Sequence, residues 1–130
     1  MNDRLVNASL LLNRVLNLSV TNVSSSDVEQ LVLCCPLLEF IGLGHCPNDA
    51  AASLEHVAEL RHLRAVDLRM TSKLVHGACV GLQRLLELPC LSAILLTEHQ
   101  LDLRAFIKVW RPSVDVQVNA SAEQFLSAYW

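Results

Sequence analysis

Five cysteines, Cys34, Cys35, Cys46, Cys79 and Cys90, and five histidines, His45, His56, His62, His76 and His99, are the residues of this sequence best suited to metal or nucleophilic chemistry. Cys34, Cys35, His45 and Cys46 form the densest group, and thiolates beside an imidazole are what zinc would need. Their spacing argues against it, with no paired Cys-x-x-Cys and no His-x-x-x-His. The cysteines are odd in number and lie in or beside apolar segments, which fits reduced structural thiols in an intracellular protein. The histidines have no Gly-x-Ser-x-Gly, phosphate-binding glycine loop or paired carboxylates beside them. No catalytic residue, no cofactor, no metal and no small-molecule substrate is therefore expected, and the chain reads as a non-enzyme.

The elements that position these side chains follow from composition and pattern. The chain has 130 residues, the size of one domain, and 52% of them are hydrophobic, with 26 leucines against six aromatics. That aliphatic bias predicts repeated layers of similar packing. Lys and Arg are scattered within a net charge of −3, so nucleic acid is a poor partner. No apolar run approaches the roughly 20 residues of a membrane span. Asp3, Asn7 and Asn13 with Arg14 interrupt the apolar start, so no signal peptide is expected and the setting is read as intracellular, most simply cytoplasmic. The four Asn-x-Ser triplets at Asn7, Asn17, Asn22 and Asn119 would matter only in the secretory pathway.

Self-comparison reveals a repeat. Leu38-x-x-Ile41-x-Leu43-x-x-Cys46 returns as Leu63-x-x-Val66-x-Leu68-x-x-Thr71, and again as Leu91-x-x-Ile94-x-Leu96-x-x-His99. Leu16-x-Leu18-x-x-Thr21 stands one repeat upstream of the first, and Val116-x-Val118 stands a slightly shorter step downstream of the last. All of these intervals fall within the roughly 20–29 residues of a unit that pairs one strand with one helix. The pattern predicts parallel strands near Val15–Ser19, Glu39–Gly44, Arg64–Arg69, Ser92–Thr97 and Val114–Val118. Between them the apolar spacing turns helical. Leu54, Val57 and Ala58 mark one helix. A second runs from a Ser72 cap through Val75, Ala78, Cys79, Leu82, Leu85 and Leu86, and a third carries Leu103, Phe106, Ile107 and Trp110 ahead of Pro112. Ser26-Asp27-Val28-Glu29 and Ser121-Ala122-Glu123-Gln124 have capping-box spacing. Helices near 3–12, with Leu5, Ala8 and Leu12, and near 121–130, with Phe125, Leu126 and Tyr129, are expected to cover the first and last repeats.

The segment from Cys35-Pro36-Leu37-Leu38 through Ile41-Gly42-Leu43 to Cys46-Pro47-Asn48 resembles the cysteine-containing subclass of leucine-rich repeats, familiar from the substrate-binding region of F-box proteins. Leu88-Pro89-Cys90-Leu91 echoes its opening with two residues exchanged, and the repeat at Leu63 lacks both cysteines. The resemblance implies an α/β fold of four to five repeats spanning 1–130 as one domain. It would be a right-handed leucine-rich-repeat solenoid with a parallel sheet on the concave face and helices on the convex face. It also implies a protein-protein interaction module, on one reading the substrate-recognition region of a ubiquitin-ligase receptor. On the alternative reading the chain is a scaffold or assembly subunit of a larger complex, as in small mitochondrial repeat proteins. No F-box is legible ahead of the repeats. Leu86-x-x-x-Cys90-x-x-x-Ile94 loosely resembles an elongin-binding box, but repeat packing already accounts for it.

Strand geometry then selects a binding surface. If Ile41 and Leu43, Val66 and Leu68, and Ile94 and Leu96 face the core, their neighbours face the other side. Those neighbours form columns of Val15, Phe40, Ala65 and Ala93, then Asn17, Gly42, Asp67 and Leu95, then Ser19, Gly44, Arg69 and Thr97. Phe40 and Leu95 flank the charged Asp67 and Arg69. These four are the expected centre of a partner-binding patch, since an aromatic beside an arginine suits an interface anchor.

Overall fold

The fold is that of a computed structural model, which describes residues 14–46, 50–71 and 80–130. Five strands, β1 (Val15–Asn17), β2 (Phe40–Gly42), β3 (Ala65–Asp67), β4 (Ala93–Leu96) and β5 (Asp115–Val118), form one parallel sheet in sequence order. Each falls inside or against the segment expected for it. The register aligns Val15, Phe40, Ala65, Ala93 and Asp115 across the sheet, and the next-but-one column aligns Asn17, Gly42, Asp67, Leu95 and Gln117. The degenerate fifth strand pairs with Ile94 opposite Val116, as the repeat pattern requires.

A helix follows each of the first four strands: α1 (Ser25–Cys34), α2 (Ala50–Val57), α3 (Val80–Leu86) and α4 (Leu101–Trp110). Their apolar stripes, including Val28 and Leu31, Leu54 and Val57, Leu82 and Leu85, and Leu103 and Ile107, meet Ile41, Leu43, Val66, Leu68, Ile94 and Leu96 in one core. Leu38, Leu63 and Leu91, which open the repeats, join it. Every apolar position of the repeat therefore faces the same side of the sheet. The α1 cap departs from expectation, with Ser24 and Asp27 forming the reciprocal box in place of Ser26 and Glu29. The Ser24 hydroxyl accepts from the Asp27 backbone N–H at 3.1 Å, and the Asp27 carboxylate accepts from the Ser24 N–H at 3.0 Å. An aspartate reaches back as a glutamate would, and starts the helix two residues earlier. The expected helix near 3–12, and Ser72, Val75, Ala78 and Cys79 of the third repeat, lie outside the described residues.

The turns after the strands share one geometry. Val20, His45 and Met70, at the same place in three successive repeats, all have positive φ, at 63°, 58° and 57°. For a β-branched Val20 this costs roughly 1–2 kcal/mol, so the repeat imposes the turn even where the local residue resists it. The closing polar position anchors it. The Thr21 and Thr71 hydroxyls donate to the Leu18 and Leu68 carbonyls at 2.5 and 2.6 Å, and the Cys46 thiol donates to Leu18 O at 3.2 Å. In the fourth repeat His99 points into solvent and Gln100 takes the role. Its Oε1 accepts from Thr97 N at 2.8 Å, and its Nε2 donates to Leu68 O at 2.8 Å.

Gly81 marks a close approach of α3 to α2, since a Cβ there would lie 2.7 Å from Glu55 N and 3.0 Å from Ala51 O, both backbone atoms of α2. Alanine is the better helix former by about 1 kcal/mol, but backbone cannot yield as a flexible side chain does. Gly81→Ala is therefore expected to lose about 1–2 kcal/mol net in urea unfolding. A variant as stable as the parent would show that α2 and α3 do not touch at this point.

Candidate functional site

The face of the sheet opposite α1 to α4 is apolar along the column that begins at Val15. Phe40, Ala65 and Ala93 are buried there, as is Leu95 in the neighbouring column, Phe40 and Leu95 completely. What buries them is a fifth helix, α5 (Ala122–Tyr129), capped by its own reciprocal box between Ser121 and Gln124. Ala122, Phe125 and Leu126, at i, i+3 and i+4, present one stripe, and they complete a second hydrophobic cluster with the sheet residues. The Phe40 ring stacks on Phe125 at 5.9 Å between centroids and meets Trp130 edge-on at 6.0 Å. The Arg64 guanidinium lies 4.9 Å from the centre of the Trp130 ring. Withdrawing Phe40 and Leu95 from water contributes roughly 1.5–3 kcal/mol each, which explains why this face is covered.

Two polar ladders bracket that apolar strip. At the strand starts, Arg14, Glu39 and Arg64 each precede a strand by one residue, and Glu39 pairs with Arg14 at 2.5 Å and with Arg64 at 3.3 Å. The hydrogen bond from Arg14, then that from Arg64, holds the Glu39 carboxyl below its ordinary range. At the strand ends, the fully buried Asp67 carboxylate accepts from Arg69 Nε and Nη2 at 2.9 and 2.8 Å, from Arg69 N at 3.0 Å and from Ser19 Oγ at 2.9 Å. Ser19 Oγ in turn accepts from Gly44 N at 3.2 Å. Gly44 must lack a side chain, because a Cβ would stand 2.7 Å from Asp67 Oδ2. The hydrogen bond to Asp67 pushes the Arg69 pKa up against the burial that would lower it. Between this pair and the start of α5 lies a cleft of about 230 Å³, lined by Asn17, Ser19, His45, Arg69 and Ser121 among others. With its first residues beside Arg69 and Trp130 over Arg64, α5 runs back across the sheet against the strand direction.

These contacts correct the expected binding patch. Phe40, Asp67 and Leu95 are fully buried, and the Arg69 side chain is 13% exposed and already committed to Asp67. The four residues are neighbours on one face, but they are not open to a partner while α5 is in place. The position expected for the last helix is corrected with them. Its apolar residues lie against β2 to β4, and the flank of α4 keeps Leu101, Val109 and Trp110 exposed. The sequence contained the necessary signals in the Ser121 box, the Phe125 and Trp130 anchors, and an aromatic Phe40 with no visible partner. The end-cover rule for repeats assigned that helix elsewhere.

The metal candidates separate. The Cys46 thiol is bound to carbonyls, Cys35 is buried with its pKa raised first by burial and then by Cys34, and among the described residues no three His, Cys, Asp or Glu side chains gather to hold a metal ion. A second cleft of about 310 Å³ between the ends of α2 and α3 is lined by Glu59, Arg61, Arg84 and Glu87, along with Ala58, Leu88 and Pro89.

Removing one member of a mostly buried ion pair leaves its partner uncompensated, so Asp67→Ala is expected to cost about 3 kcal/mol in urea unfolding. The joint replacement of Asp67 by Leu and Arg69 by Met should recover part of that loss. Equal stability of Asp67→Ala and the parent would contradict the buried network. No known protein family model matches this chain, and no curated protein matches it, so its site is defined by its own geometry alone.

Proposed function

We propose that this chain is a short leucine-rich-repeat solenoid, right-handed, with α1 to α4 on its convex face and the α5-covered sheet on its concave face. It binds another protein and carries out no reaction of its own. The observation that supports this best is the register of the sheet. Phe40, Ala65 and Ala93 stack one strand above the next beneath α5, so each repeat adds one rung to a stacked array, the architecture that repeat proteins use to build binding surfaces. The Cys35–Asn48 segment favours the substrate-recognition region of a ubiquitin-ligase receptor as the specific role. The free thiols Cys34, Cys35, Cys46 and Cys90 favour an intracellular setting. Among the described residues no helix is long and apolar enough to cross a membrane.

One observation favours the scaffold reading. At the end of α4, Val109 and Trp110 are 79% and 52% exposed, and Phe106 stacks on Trp110 at 5.3 Å. An apolar flank of this kind suits a permanent neighbour. In-cell cross-linking of the tagged full chain followed by mass spectrometry tests both readings. A partner protein cross-linked to this chain is the expected result, and its loss on replacing Val109 and Trp110 by serine selects the scaffold. Recovery of background proteins alone, without inter-protein cross-links, would overturn the interaction role.

A further inference from the structure

We propose that the sheet face beneath α5 is a helix-binding groove, and that α5 is its built-in occupant, in competition with an amphipathic helix from a partner protein. This rests on the protein-interaction reading and names the chemistry of the partner. The groove floor is Phe40, Ala65, Ala93 and Leu95, a strip whose exposure to water would cost roughly 1.5–3 kcal/mol for each of the two large side chains. Whatever displaces α5 must therefore restore the same cover. The seated helix shows what that cover requires: a small residue at Ala122, an aromatic at Phe125, an aliphatic at Leu126 and a second aromatic at Trp130. The polar ends of the groove add direction. Arg64 faces the distal aromatic ring, and the Ser19, Asp67 and Arg69 network lies by the start of the helix, so a partner helix enters running against the strands.

Three features make the occupant exchangeable. The α5 capping bonds are internal to it, Ser121 N to Gln124 Oε1 and Gln124 N to Ser121 Oγ, both at 3.0 Å, so its start makes no capping bond to the sheet that would have to break on release. It has eight residues, too few to persist as a helix away from an apolar surface, so release and re-formation are coupled to docking. It is joined to β5 through Asn119 to Ser121, and Asn119 already takes the positive φ of 66° of a turn. Its side chain and backbone are tied to Glu98 and Leu96, so the strand stays fixed when the helix leaves.

A fluorescent peptide of residues 119–130 is the probe, titrated into the full chain and into the full chain carrying Phe125→Ala with Trp130→Ala. Removing the anchors frees the groove, and apparent affinity rises in proportion to the open fraction. The variant should bind the peptide at least about tenfold more tightly than the parent, and adding Phe40→Ala should cancel the gain. A folded variant, judged by circular dichroism, that binds no better than the parent overturns the groove. So does a variant that fails to fold, because α5 would then be an inseparable part of the core. If light scattering shows the parent dimerising with exchanged α5 helices, the occupant is a second copy and the partner assignment fails. The peptide assay needs no cellular partner. It can fail while cross-linked partners are still found, and it can succeed where none are found, so the two readings are tested separately.

Discussion

A parallel sheet that carries Phe40 and Leu95 on the face opposite its alternating helices gains stability by covering both faces, and the rest of this structure answers that constraint. The short strands β2, β3 and β4 are buried along their whole length. One face is met by four helices that alternate with the strands, so each is supplied by the repeat that needs it. The other face is met, among the described residues, by α5, across three strands at once. The first solution is local and repeated; the second is long-range and occurs once.

The polar groups follow the same division. At the strand ends the chain must turn toward a helix, and a hydroxyl, thiol or amide closes each turn on a nearby carbonyl, as in Thr21, Cys46, Thr71 and Gln100. Across the strands the charged residues pair with one another, Glu39 with two arginines and Asp67 with Arg69. Charges satisfied internally frame the apolar strip without competing for a ligand. Selectivity would then come from ring placement and helix direction, with Arg64 as the charged group that meets an aromatic face.

The repeat was legible because its signal is periodic. Ile41, Val66 and Ile94 recur with their neighbours at spacings that translate directly into register, and even the weak Val116 strand found its place. The columns of outward side chains followed from alternation alone. What alternation cannot supply is the identity of whatever covers a column. Phe40 lies in the second strand and Phe125 beyond the fifth, and no local rule links them, so a buried contact read as an open anchor. The α1 cap slipped by two residues for a similar reason, because Ser24 and Ser26 are both competent caps and Asp27 decides between them. Gln100 was missed because it stands one residue beyond the repeat's closing position.

The account depends most on α5 lying across the sheet. Nuclear Overhauser spectroscopy of the full chain, with Phe40 and Phe125 ring protons assigned, measures this directly. Cross-peaks between the two rings, together with slowed exchange of the α5 amides, are the predicted result. Absence of those cross-peaks, with α5 amides exchanging as fast as an unfolded peptide, would show that the face is open and would contradict the account.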